Sequence, residues 1–240
     1  MNFDYERNTQ KFYQNDETAR RYHDMFMSSR GWRNLPSRVV ARRECRAVEA
    51  LLDQVPHGTA LDLPAGTGKL AGIFSARGTR VVASDISSSM LKLAEAEYSR
   101  AGCRDASFQV EDATDLTRFR DGSFDVVVCL RLMHRVPPAL RKLMLDEFAR
   151  VASWAIVSFG IENRFHRTRR GVRAAVFGGG RDALCFCSVR QACTELSSGF
   201  DILRRVWIAP ALSQEMIFLL RSRRIGHGAS QDAHLRSMRP

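Results

Sequence analysis

Two acids at the ends of apolar runs carry the first chemical signal in this chain. Asp62 closes the run in "LDLPAGTG", residues 61–68, and Asp85 closes "RVVASD", residues 80–85. Gly66 and Gly68 follow Asp62 after Leu63, Pro64 and Ala65, and a glycine-rich turn after a buried strand lets main chain approach a ligand, because glycine has no Cβ and tolerates positive φ. A carboxylate at the Asp85 position can accept hydrogen bonds from both hydroxyls of a ribose. Gly66, Gly68 and Ala71 satisfy G-x-G-x-x-A, a dinucleotide fingerprint that by itself would allow hydride transfer. Farther on, His134 stands in "CLRLMHRVP" just past a fourth strand-like run, where a general base could reach a bound acceptor. His23 and His166 are weaker candidates for the same role. Asp112 in "QVEDATDL" is another acid after a strand-like run. No nucleophile constellation and no metal-ligand spacing is present in the sequence, so no metal is expected.

These residues need a scaffold, and the periodicity describes one. "TALDL", "RVVASD", "ASFQVED", "SFDVVVCLRL" and "WAIVSF" read as strands, and "KLAGIFSARG", "SSSMLKLAEAEYSRAG" and "PPALRKLMLDEFARVA" as the helices between them. Gly78 and Gly102 stop two of the helices, and proline opens the third. Such alternation predicts an α/β fold, a doubly wound and mostly parallel sheet with helices on both faces. Near the end, Ser188 and Gln191 form a capping-box pattern for one more helix. "FDILRRVWIAP" and "SQEMIFLLR" then follow with no room for a helix between them, so they must form a hairpin and make the last strand antiparallel. The predicted organisation is a helical N-terminal cap over 1–57, a sheet domain over 58–221, a mobile lid or insertion at 160–187, and an unstructured tail over 222–240. "DETARRYHDMF" is read as a helix of the cap.

Composition bounds the class. With 240 residues, 45% of them hydrophobic and 26% charged, the chain can bury a full core as one domain. It contains no apolar run near the roughly 20 residues of a membrane span. The start, "MNFDYERNTQ", lacks the layout of a signal peptide, so a cytoplasmic protein is expected, with peripheral contact to the inner membrane face as an option. Six scattered cysteines read as reduced structural thiols. A net charge of +11 invites a nucleic-acid partner. The excess is arginine, since lysine occurs only at Lys11, Lys69, Lys92 and Lys142. Five arginines, Arg164, Arg167, Arg169, Arg170 and Arg173, crowd after "WAIVSF", where they could meet an anionic acceptor or an anionic membrane surface.

Asp62, the glycine turn, Asp85, Asp112 and the terminal hairpin together resemble the class I S-adenosylmethionine-dependent methyltransferases, closely over about 59–160 and by topology to about 221. The resemblance implies a Rossmann-like methyltransferase fold of seven strands with the last antiparallel. It implies S-adenosylmethionine as cofactor, held by Asp62, Pro64, Ala65, Gly66, Gly68, Asp85, Ile86, Met90, Asp112, Ala113, Cys129 and Leu130. In the family's glycine motif a glycine stands where this chain has Pro64, which removes a backbone donor. The expected function is O- or N-methylation of a small-molecule or lipid-like acceptor, an anionic one among the options, with His134 as the catalytic candidate, similar to bacterial small-molecule members. Two alternatives stay open. One is an RNA methyltransferase, although the chain lacks the tetrad of asparagine or aspartate, two prolines and an aromatic that many base-amine methylases carry. The other is a non-catalytic binding protein on the same fold.

Overall fold

The computed structural model describes residues 35–162, 168, 184–210 and 212–225. The helix expected over "DETARRYHDMF", His23, His166, the five clustered arginines, Gly178 to Gly180 and the chain beyond 225 lie outside the described residues.

An 18-residue helix, α1 (Leu35–Leu52), leads into the sheet. The order is then β1 (Thr59–Asp62), α2 (Ala71–Ala76), β2 (Arg80–Asp85), α3 (Ser88–Arg100), β3 (Ala106–Val110), β4 (Phe124–Cys129), a short 3-10 turn at Met133–Arg135, α4 (Pro138–Val151), β5 (Ala152–Gly160), α5 (Val189–Leu196), β6 (Phe200–Trp207) and β7 (Glu215–Ser222). The seven strands run in the order β3-β2-β1-β4-β5-β7-β6. All neighbours from β3 to β5 are parallel, and β7 lies antiparallel between β5 and β6. The doubly wound sheet with an antiparallel final strand is therefore as the sequence predicts.

Each face of the sheet is covered by its own helices. Val48, Leu51 and Leu52 of α1, Phe74 of α2 and Tyr98 of α3 pack with Ala60, Val81, Val126, Ile156 and Ile217. Met144, Phe148 and Val151 of α4 and Leu196 of α5 pack with Leu61, Val127, Val157 and Phe218 on the other face. The central strands β4 and β5 are buried along nearly their whole length, which is why their sequences read as continuous apolar runs rather than alternating ones. Local signals set the helix ends. Gly78 and Gly102 take positive φ where the helices stop, and the Ser87 side chain caps α3 by accepting the Met90 N–H. Ser188 and Gln191 form a reciprocal capping box on α5.

Gly160 is the last residue of β5, and Ile161 bridges Cys187 beside it, so both ends of the expected insertion are tied to the sheet. After β7, Arg223 pairs with Asp201 and Arg224 with Asp146. Among the described residues no helix is long and apolar enough to cross a membrane. All six cysteines are free.

Candidate functional site

Strand order reverses between β1 and β4, and in open α/β sheets a crevice forms beyond the carboxyl ends of the strands at that point. A cavity enclosing about 1040 Å³, counting its open mouth, lies there. The turn after β1 supplies Asp62, Leu63, Pro64, Ala65, Gly66, Thr67, Lys69 and Leu70, and the end of β2 supplies Asp85 and Ile86. Met90 of α3, Glu111 and Ala113 after β3, and Leu130, Arg131, Leu132 and Arg135 after β4 complete the wall.

Nine of the residues named from sequence thus meet in one place: Asp62, Pro64, Ala65, Gly66, Asp85, Ile86, Met90, Ala113 and Leu130. Gly68, Asp112, Cys129 and His134 are not on the wall. Gly68, at φ +80, packs on α3, where an added Cβ would come within 2.9 Å of Glu97 Cβ and 3.0 Å of Ala94 Cα. Close packing of turn on helix, rather than ligand approach, is what its missing side chain permits. Asp112 turns back on its own loop and accepts both the Thr114 N–H and hydroxyl, leaving its neighbour Glu111 on the wall. Cys129 is fully buried beneath the site, and that burial pushes its thiol up.

Asp85 does more than face the cavity. Its Oδ2 accepts the Gly66 N–H at 2.9 Å and its Oδ1 the Ser87 N–H at 2.9 Å, so it ties β2 to the turn after β1. Burial raises its pKa to about 6, against the pull of the backbone donors around it. The Leu63–Pro64 peptide is cis. Around Pro64, the Leu63 N–H goes to Val128 and the Ala65 N–H to Ser84. The donors flanking the proline are thus used inside the protein.

The other wall carries an ion cluster that sequence reasoning missed. Glu44 of α1 is fully buried and accepts Lys69 Nζ at 2.7 Å and Arg131 Nε at 2.7 Å. Glu215, at the start of β7, lies with its Oε2 3.5 Å from Arg131 Nε and shares a hydrogen bond with Glu44. Burial alone would raise the Glu44 pKa. Lys69, the Glu215 hydrogen bond and Arg131 outweigh it and hold this carboxyl well below its usual range. Burial and the Glu44 charge push Glu215 up to about 8, so the proton between the two acids resides on Glu215. Arg131 sits at φ 61, a backbone strain on the order of 1–3 kcal/mol for a non-glycine residue, with its N–H bound to Ser158 Oγ at 2.7 Å. Lys69 next to Gly68 was a readable signal in a chain with four lysines. Glu44 and Glu215 had none, being brought together only by the fold.

His134 lies in the 3-10 turn beside this wall. Its ring stacks on Phe186, centroids 5.9 Å apart and planes 5° apart, and its Nδ1 is buried without a hydrogen-bond partner. Burial, then the charges of Arg135 and Arg131, lower its pKa to about 3, which keeps the imidazole neutral at physiological pH.

Residues 60–153 match the family described as "Methyltransferase domain". The match spans less than half of the chain, from β1 to the start of β5, and the fold is the Rossmann-like one of solved methyltransferases. A demethylmenaquinone methyltransferase from Thermobifida fusca is 35% identical over 102 residues, 41% of this chain and 43% of that protein. A ubiquinone biosynthesis O-methyltransferase from Xanthomonas campestris is 29% identical over 86 residues, 36% of each chain. The chain therefore matches less than half the length of these curated relatives. In structure, it is similar to a magnesium protoporphyrin IX methyltransferase from Synechocystis solved with bound SAH, with a TM-score of 0.74, 19% identity, and coverage of 89% of this chain and 98% of that one.

Proposed function

We propose that this chain is an S-adenosylmethionine-dependent methyltransferase acting on a small-molecule acceptor through O- or N-methylation. The observation that carries the reading is that Asp62, Asp85 and an apolar wall of Ile86, Met90, Ala113 and Leu130 line one cavity at the switch point of the sheet. The donor set fits the cofactor. Each oxygen of a carboxylate offers two acceptor positions, so Asp85 keeps capacity for a ribose diol beyond the two N–H bonds it already accepts. The apolar wall suits adenine, and Asp62 suits the amine-bearing end. When bound, the cofactor supplies an activated methyl group, and the protein's part is to align the acceptor and exclude water. Among the described residues, the post-β4 segment with Arg131, Leu132 and Arg135 is where an acceptor would be aligned.

The named relatives act on a quinone precursor, on ubiquinone precursors or on a metalloporphyrin, and this supports a flat, lipid-like acceptor for this chain. An anionic acceptor, or contact with an anionic membrane surface, is supported by the sequence cluster Arg164, Arg167, Arg169, Arg170 and Arg173. Calorimetric titration tests the cofactor half. S-Adenosylmethionine should bind and a nicotinamide dinucleotide should not, and absence of binding at millimolar S-adenosylmethionine would leave only a non-catalytic role. Methyl transfer from labelled cofactor, offered phenolic quinone precursors and RNA side by side, tests the acceptor half. The expected product is the methylated small molecule. Reversing Arg167, Arg169 and Arg170 to glutamate should raise the acceptor's KM and leave cofactor affinity within about a factor of two, the result expected of side chains that meet the acceptor and not the cofactor.

A further inference from the structure

We infer that Tyr98 is a positioning residue that holds the Asp62 carboxyl aimed at the amine-bearing end of the cofactor. The inference rests on the methyltransferase reading above and assigns a role in it to a residue of α3 that does not line the cavity. Tyr98 is fully buried, and its hydroxyl donates to Asp62 Oδ2 at 2.7 Å. The ring cannot swing away, because it packs edge-on against Phe108 of β3 with centroids 5.6 Å apart and planes at 81°. Asp62 is equally fixed, as the last residue of β1 with Ala83 and Val128 in register on either side. A tyrosine hydroxyl spent on Oδ2 leaves Oδ1 for a ligand in the cavity.

The electrostatics give this bond leverage. Burial, with Asp85, outweighs the Tyr98 hydrogen bond and the Lys69 charge, and the balance leaves Asp62 raised to about 7. The groups that face it are thus Tyr98 from α3, Lys69 from the turn, Asp85 from β2 and the buried Cys129 thiol from β4. Lys69 is itself shared with Glu44 of α1. A carboxyl poised near neutrality changes charge when a single donor is removed. Without the hydroxyl its pKa rises further, so at neutral pH Asp62 becomes a protonated acid and loses its attraction for an ammonium group. Raising the pH deprotonates it again and restores that attraction.

The test is the pH dependence of binding, using S-adenosylhomocysteine as probe, with wild type, Tyr98→Phe, Asp62→Asn and the double variant titrated calorimetrically at pH 6 to 9. The ratio of dissociation constants between two proteins at one pH cancels any titration of the probe itself. Tyr98→Phe should weaken binding about tenfold at pH 7, the scale of one hydrogen bond to a charged group, with the ratio shrinking as pH rises through 8. The double variant should bind no worse than Asp62→Asn alone. A ratio of one, or a loss that does not vary with pH, overturns the inference, since a purely structural tyrosine predicts the latter. Phe keeps the ring contacts. Should Tyr98→Phe nevertheless melt below the assay temperature, the advantage of wild type over Asp62→Asn must still grow as pH rises through about 7, and a flat advantage overturns the inference. Wild type that fails to bind the probe at any pH would overturn the cofactor reading itself, which separates the two failures.

Discussion

The Asp85 carboxylate accepts the Gly66 N–H at 2.9 Å, so the acid at the end of β2 braces the turn after β1 that it shares a cavity with. One side chain thereby braces the turn and faces the cavity. Asp85→Asn should therefore show two losses. An amide can return one acceptor but sets an NH2 group against a backbone donor, which should lower stability by about 1–3 kcal/mol. Cofactor affinity should fall at least about tenfold. Urea unfolding and calorimetry report the two separately, and a stability loss with unchanged affinity would reduce Asp85 to a brace.

The sheet was legible because its strands carry their environment in composition. "SFDVVVC" and "WAIVSF" are apolar without alternation since both faces of β4 and β5 are covered, and Ser188 with Gln191 announced α5 through local hydrogen bonding alone. Asp62, Asp85, Ile86 and Met90 could be placed from their offsets to those strands. The Glu44–Arg131–Glu215 cluster could not, because it joins α1, the end of β4 and the start of β7, and no periodicity records a contact between elements that far apart in sequence. Tyr98 was hidden for a related reason. On α3 it reads as one more core aromatic, and only the fold turns its hydroxyl to Asp62. Asp112 shows the limit of counting from a strand end, since its loop turns it inward on Thr114 and presents Glu111.

Glu215 makes stability depend on pH in a definite direction. Its folded pKa is pushed up to about 8 from an ordinary 4.5, so its contribution is complete below 4.5 and is lost as pH rises to and through about 8. Asp62 and Asp85 act in the same sense but end nearer 7 and 6, while the depressed Glu44 contributes steadily above 4.5. Between pH 7 and 8.5 the remaining slope belongs chiefly to Glu215. Glu215→Gln, which keeps a donor for Glu44, should flatten it, gaining about 1 kcal/mol on wild type across that interval. Chemical denaturation at pH 7, 7.75 and 8.5 decides it. Parallel curves for the two proteins would place the shared proton elsewhere.

His134 can be tested without removing its packing. Gly160 Cα leaves no room beside it, since a Cβ there would lie 2.7 Å from His134 Cβ and 2.6 Å from the Phe186 ring, so a large cavity at 134 would disturb β5 as well. His134→Phe keeps the stack on Phe186 and eliminates an Nδ1 that has no partner. With the imidazole held neutral down to about pH 3, the variant should retain turnover within about threefold and melt at or above the wild-type temperature. A fall of about 100-fold in kcat with unchanged cofactor affinity would instead assign proton transfer to His134.

Arg141 is the residue whose loss should cost most. It is 2% exposed, grips Glu195 of α5 with Nε and Nη2 at 2.7 Å each, and gives Nη1 to the carbonyls of Met133, Val136 and Cys185. One planar fork thus joins α4, α5, the 3-10 turn and the segment returning to the sheet, and its guanidinium lies 5.9 Å from the centre of the Phe159 ring. Arg141→Ala strands a carboxylate, two buried carbonyls and a half-buried one, and should lower stability by about 3–5 kcal/mol. Arg141→Lys keeps the charge but cannot make the paired bonds, so it should fall between wild type and alanine. Cofactor affinity of the folded fraction should stay within about threefold, because Asp62 and Asp85 hang from β1 and β2, which the fork does not touch. A loss below about 1 kcal/mol in Arg141→Ala, measured by urea unfolding, would show that α5 and the 3-10 turn are held by their apolar contacts alone.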